Sequence, residues 1–285
     1  MPIVKKFQKG VRFSRMTIAT FTLLGVGTSS GVPRIGCNCC VCTGVHQHSR
    51  NRRQRVSGLL EVAGKKLLID AGPDIRNQLL EHKIGKIDGL LITHNHFDHV
   101  AGIDDVKWAV NFGKESILVY VNRPTHASLK KNIRYLLEQV STVFFPPFKL
   151  KQVKKWERID FHGWKVQTLS YSQQNEGHSS PTEVMGFRIG DFAFLTDIKQ
   201  YDSRLIRQLK GIKTMVLGAV RDGQSVAHFT FEEAFQFTKL VGNPRTIFIH
   251  LDHSVDYEVA SKRLPPNVEL GYDGCKIAIQ LASNN

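Results

Sequence analysis

Apolar residues recur along this chain with two periods. Alternation over 17–24 predicts a strand, and the short apolar runs 89–93, 116–122, 164–169, 192–196, 216–219 and 246–249 predict further strands. Helical spacing over 125–140 predicts an amphipathic helix, 104–112 predicts another, and the segment from Ala227 to Ala234 opens a third. Between the first two strands lies the glycine-rich turn 25–31, and 144–148 is an aromatic, proline-rich stretch that predicts loop packing. The glycines allow a tight turn and close backbone approach. With no Lys-Ser/Thr after it, the turn is not a nucleotide loop.

Several apolar runs end in a residue that can bind a cation. The run 89–93 leads straight into His94, His96, Asp98 and His99. Two histidines two apart on extended chain can point the same way. Neutral imidazole and carboxylate suit zinc, manganese or iron, and catalytic sites leave a coordination position open for water. Four candidate ligands in one loop exceed the need of one open site, so two adjacent metals are expected. The run 192–196 closes on Asp197. A carboxylate ending an apolar strand needs cations or donors, because it is costly to bury unpaired. The run 246–249 delivers His250 in the same way, and 164–169 leads to the polar loop that holds His178.

Four of the five cysteines fall within 37–42, at Cys37, Cys39, Cys40 and Cys42. The N-terminus has no apolar h-region of a secretory signal, so metal binding is a better reading than a disulfide framework. Three thiolates and one distant histidine would close a tetrahedral zinc site, and spacing alone leaves open which three.

The motif His94-x-His96-x-Asp98-His99, with the upstream stretch 67–72 ending in Asp70-Ala71-Gly72, resembles the metallo-β-lactamase superfamily. The resemblance implies an α/β fold, an αββα sandwich with a dinuclear metal site at one edge. Within the superfamily, Cys37-x-Cys39-x-x-Cys42 after the glycine turn, the stretch 70–76 and Gly102-Ile103-Asp104-Asp105 resemble the phosphoribosyl cyclic phosphate phosphodiesterases, from about residue 17 to the C-terminus. That resemblance selects Cys37, Cys39, Cys42 and His253 for a structural zinc and leaves Cys40 aside. It implies His94, His96 and His178 on a first active-site metal, Asp98, His99 and His250 on a second, and Asp197 bridging both, the ions being zinc or manganese. It also implies a catalytic, non-ligand histidine at His228, which would contact phosphate and protonate the leaving alkoxide. Asp70 would support a ligand histidine. The implied substrate is a small cyclic phosphodiester such as a phosphoribosyl cyclic phosphate.

Composition adjusts this picture in two places. The net charge is +14 over 285 residues, and +5 of it sits in residues 1–15, which have no acid and are expected to form a disordered basic extension. The remainder, 16–285, is expected to be one hydrolase domain, because its candidate ligands span 37–253. The basic runs 50–55 and 149–158 suit an anionic phosphoester substrate. They lack the interleaved aromatics of a base-stacking platform, so nucleic acid is admitted and not favoured. No apolar run reaches the roughly 18 residues of a membrane span, which points to a soluble, cytoplasmic protein. A homodimer is compatible with the sequence. The competing functions are an RNA-processing nuclease or a thioesterase of the same superfamily, or an accessory binding protein that has lost its ligands.

Overall fold

The computed structural model describes residues 16–282 apart from 46–48, 111–113, 140–144, 176 and 178–179. The expected basic extension 1–15 lies outside the described residues.

Fourteen strands among the described residues form two seven-stranded sheets. The first contains β1 (Met16–Gly25), β2 (Ser57–Val62), β3 (Lys65–Ile69), β4 (Gly89–Leu91), β5 (Ile117–Val121), β6 (Phe148–Gln152) and β14 (Lys276–Ala282), in the order β14-β1-β2-β3-β4-β5-β6. The second contains β7 (Arg158–Phe161), β8 (Trp164–Gln173), β9 (Thr182–Ile189), β10 (Phe192–Leu195), β11 (Thr214–Gly218), β12 (Arg245–Ile249) and β13 (Val268–Leu270), ordered β13-β12-β11-β10-β9-β8-β7. Each sheet is antiparallel in one part and parallel in the other, the parallel run starting at β3 in the first and at β10 in the second.

The inner faces of the two sheets share one core. Ala19, Phe21 and Leu23 of β1, alternating as strand geometry requires, meet Phe187 of β9 and Phe192 and Phe194 of β10. The ring of Phe21 lies 4.9 Å from that of Phe192 and 5.4 Å from that of Phe194. Gly58 of β2 leaves room for this ring, since a Cβ there would collide with it. The outer face of the first sheet buries Leu68, Leu90 and Val119 against Ile75 and Leu79 of α2 (Ile75–Glu81). That of the second buries Ala193, Leu195, Met215 and Phe248 against Leu205 and Leu209 of α6 (Ser203–Leu209) and Phe237 of α7 (Phe231–Val241). The layers are therefore helix, sheet, sheet, helix. Strands covered on both faces carry continuous apolar runs, which is why β10 to β12 are so conspicuous in the sequence.

Phe21→Ala is expected to destabilise the fold by about 3–5 kcal/mol, because the rings around it cannot collapse into the space. Urea unfolding of the variant, compared at equal slope, measures this.

The helices between the ligand runs are shorter than their periodicity predicts. Where 104–112 predicts a helix, one turn of α-helix at α4 (Ile103–Val106) gives way to a 3-10 turn at Lys107–Ala109. The helix predicted over 125–140 is α5 (Arg123–Asn132), capped by the Asn122 side chain on the Thr125 amide and followed by the 3-10 turn Arg134–Leu136. Helix α7 starts at Phe231 and not near Ala227, because Thr230 and Glu233 form a reciprocal capping box there. Among the described residues no helix is long and apolar enough to cross a membrane.

Candidate metal centre and its cleft

The carboxyl ends of the parallel strands deliver the candidate ligands. Asp70 follows β3, the segment 93–99 follows β4, Asp197 comes two residues after β10, and His250 follows β12. Asp70, Asp197 and His250 all adopt left-handed backbone conformations, with φ of +59°, +51° and +60°. Such conformations are uncommon outside glycine and are held only where the surroundings dictate them. The loops interlock: the Ala71 amide donates to the His99 carbonyl at 2.8 Å, and a Cβ on Gly72 would collide with the Asp98 carbonyl oxygen.

Around His99 three carboxylates converge. Its Nδ1 donates to Asp70 Oδ2 at 2.7 Å, which fixes the tautomer and leaves Nε2 facing Asp98 Oδ2 and Asp197 Oδ2, each at 3.3 Å. Asp70 is fully buried and also accepts from the Thr93 amide at 2.7 Å and the Thr93 hydroxyl at 2.9 Å. Burial raises the Asp70 pKa, against the pull of His99 and Thr93. Burial alone would lower the pKa of His99, but Asp98, Asp197 and Asp70 outweigh it and hold the value well above normal. The surroundings of Nε2 thus favour a cation.

Among the described residues, donor atoms within 4.8 Å of one another form three overlapping groups: His94, His99 and Asp197; Asp98, His99 and His250; and Asp197, His228 and His250. Asp197 belongs to two of them, as a bridging carboxylate would. Burial, the largest influence on Asp197, works against its charge, and His250 and His99 reverse it, so its pKa is held well below the usual range. The buried nitrogens His94 Nε2, His99 Nε2 and both ring nitrogens of His250 have no hydrogen-bond partner. Buried polar atoms without partners are rare, and several grouped with shared carboxylates fit divalent metal. Burial, and then His99, keep His94 neutral, as a ligand imidazole must be.

His96 lies beside His94, with ring centroids 4.5 Å apart, but its Nε2 meets the Thr182 hydroxyl at 3.3 Å and it joins none of the three groups. His178 lies outside the described residues. His228 Nδ1 is buried 3.6 Å from Asp197 Oδ1, and its ring centroid is 4.4 Å from that of His250. Burial, then His250, press its pKa down to about 3, so the ring is neutral at pH 7 in the free protein.

A second donor set joins the loop after β1 to the segment after β12. Cys37, Cys39, Cys42 and His253 bring three sulfurs and an imidazole nitrogen together, while Cys40 is exposed and takes no part. The turn of helix α1 (Cys40–Thr43), with Cys39 as its cap, stacks the Cys39 and Cys42 side chains. His253 Nδ1 stands 3.4 Å from Cys37 Sγ and 3.5 Å from Cys39 Sγ. His253, then the Cys42 amide, lower the Cys39 thiol to about 6, whereas burial raises Cys42 to about 11. Three thiols and one imidazole are the donor set of a structural zinc.

A cleft of about 890 Å³ is lined by His96, His228 and His250 and also by His253 of the cysteine set. Thr28, Ser29, Gln173, Arg34 and Arg221 supply polar walls. Among the described residues lining it, Val220 and Ala227 are the only aliphatic ones and none is Phe, Tyr or Trp. Arg221 Nε lies 2.9 Å from Asp252 Oδ2, close enough for an ion pair but too poorly aimed for a hydrogen bond.

Sequence reasoning missed Thr93, which bonds Asp70 and His94, and Thr182, which meets His96. Thr93 carried a signal, since it is the polar residue that closes the run 89–93 directly before the first histidine. For Thr182 nothing in the chain pointed to His96. Asp70→Asn, which keeps the shape and removes the charge behind His99, is expected to weaken metal binding by about 10–100-fold. Competition with a chromophoric chelator measures it.

The β-lactamase superfamily domain matches residues 65–251. A protein from Porphyromonas gingivalis named octanoyltransferase is 32% identical over 259 residues, 90% of this chain and 51% of that protein, so the chain spans about half the length of this curated relative. Among solved structures, a diphosphatase from the PhnP family superposes with a TM-score of 0.82 at 30% identity, covering 94% of this chain and 100% of its own. Zinc-bound PqqB from Methylobacterium extorquens superposes with a TM-score of 0.72 at 18% identity, covering 90% and 99%, a likeness of fold.

Proposed function

The chain belongs to the β-lactamase superfamily, whose fold it has, and from that premise we propose that it is a metal-dependent phosphodiesterase acting on a small anionic phosphoester, with a cyclic phosphoribosyl phosphodiester as reference substrate. The observation that carries this reading is the set of unpartnered imidazole nitrogens on His94, His99 and His250, gathered around Asp197 behind a polar cleft that His250 lines. Divalent ions held there by His94, His96, Asp98, His99, Asp197 and His250 would polarise a phosphoryl oxygen and supply a nucleophile at neutral pH. Asp70 fixes the tautomer of His99 through its 2.7 Å bond to Nδ1. Arg34, and Arg221 beside its partner Asp252, bring to the cleft guanidinium donors that a phosphate can use. His228 offers an N–H to a phosphoryl oxygen, and an adjacent anion raises its pKa toward the protonated form that a leaving alkoxide requires. Cys37, Cys39, Cys42 and His253 would hold a structural zinc that pins the loop after β1 to the segment following His250.

Two other chemistries have specific support. The solved relative named a diphosphatase favours a phosphoanhydride as competitor, since the same charge arrangement suits both bonds. The octanoyltransferase relative favours an acyl substrate, but Val220 and Ala227 offer an eight-carbon chain almost no apolar wall. Nucleic acid is disfavoured because no described residue lining the cleft is an aromatic on which bases could stack. The test is a panel run on one metal-loaded preparation: ribose 1,2-cyclic phosphate, a nucleoside diphosphate, an octanoyl thioester and a precursor tRNA. Highest kcat/KM on the cyclic diester supports the reading, and higher kcat/KM on any of the other three replaces it.

A further inference from the structure

His228 sits in the segment between β11 and α7, and Lys199, two residues beyond Asp197, reaches across to that segment from beneath. The Lys199 ammonium donates to the Ser225 carbonyl at 2.8 Å, the His228 carbonyl at 3.4 Å and Glu233 Oε1 at 2.7 Å. An ammonium has three protons, and these acceptors account for all of them. Its side chain is 19% exposed, so little of it meets solvent. Glu233 passes the restraint on, since its other oxygen accepts from the Thr230 amide at 2.8 Å while its own amide donates to the Thr230 hydroxyl. The backbone of the segment is tied to the same strand end, because the Phe229 amide donates to the Ile198 carbonyl at 2.8 Å.

We infer that Lys199 is the positioning residue for His228, locking the segment that carries this imidazole to the strand end that carries Asp197. The inference rests on the catalytic reading of His228 proposed above. With its donors engaged, Lys199 does not contact substrate; its effect passes through the imidazole. Apolar replacement removes three restraints from the stretch 225–233 and leaves Glu233 without its cation. Small displacements of a catalytic group cost on the order of 100-fold in rate.

The experiment is a double-mutant cycle with Lys199→Met and His228→Ala in the metal-loaded protein, with metal content, melting temperature, kcat and KM measured on every sample. Lys199→Met should lower kcat by about 10–100-fold with KM and metal content little changed, and Lys199→Arg should recover most of the loss. In the His228→Ala background, Lys199→Met should cost less than about twofold, because its route to the chemistry is already gone. Losses that multiply independently in the double variant overturn the inference. Lys199→Gln, which keeps part of the hydrogen bonding, takes its place in the cycle if the Met variant does not fold. Imidazole NMR supplies a readout without turnover. A His228 ring resonance that moves in the Lys199 variants while the other histidines stay fixed supports the positioning role even if no diester is hydrolysed, and an unmoved resonance overturns it. Absence of diester turnover in the unmodified protein counts against the phosphodiesterase reading alone.

Discussion

Asp197→Asn should reduce diester turnover by on the order of 1000-fold, the scale on which lost electrostatic stabilisation of a transition state is felt. Asn is the informative replacement because residue 197 sits at φ +51°, where Asn and Asp are the non-glycine residues most easily accommodated. Ala there would add backbone strain to the lost charge. In the wild-type chain one oxygen of Asp197 faces His99 Nε2 at 3.3 Å and the other faces His250 Nε2 at 3.1 Å. An amide presents a neutral oxygen to one histidine and an N–H to the other, so it cannot bridge two cations. Metal analysis should therefore show fewer bound equivalents at unchanged secondary structure. Full metal content with full activity would remove Asp197 from the centre.

His228→Ala should lower kcat by about 100- to 10,000-fold, the range for losing a proton-transfer group, at unchanged metal content. The control on metal matters because His228 Nδ1 also falls in a donor group with Asp197 and His250. A variant that loses an ion with its activity makes His228 a ligand; one that keeps every ion makes it a catalytic group. His228→Gln separates the two contributions of an imidazole, since an amide can donate a hydrogen bond but cannot deliver a proton. Recovery of less than about a tenth of the lost rate is expected if proton delivery dominates. Burial and His250 hold the free ring near 3, so the protonated form has to be created by the arriving anion.

Much of the candidate centre was legible because the residues that would bind metal end apolar strands. A buried strand is easy to see, and a histidine or aspartate directly after one is costly unless something pairs it. Asp197 and His250 were visible on that ground, and the motif at 94–99 by density alone. The four residues chosen for the cysteine site on resemblance are also the four that the fold brings together, with Cys40 turned outward on the α1 turn. Other features could not be read. The left-handed backbone at Asp70, Asp197 and His250 had no local signal, since none of the three is glycine. Strands β6 and β7 were hidden in a basic stretch, because edge strands keep charged residues on an exposed face and lose the apolar signal. Lys199 looked like any surface lysine, and only its three acceptors mark it out. Predicted helix ends failed where caps decided them, as at Thr230 and Asn122.

The most direct test of metal-dependent phosphodiester hydrolysis is reconstitution. Protein stripped with a chelator is titrated with zinc or manganese while hydrolysis of bis(p-nitrophenyl) phosphate is followed and bound metal is counted. Turnover that is absent in the stripped protein and rises as the His and Asp centre fills, beyond the equivalent held by the cysteines, is the predicted result. Full metal occupancy with no diester hydrolysis, or undiminished hydrolysis by the stripped protein, would contradict the account.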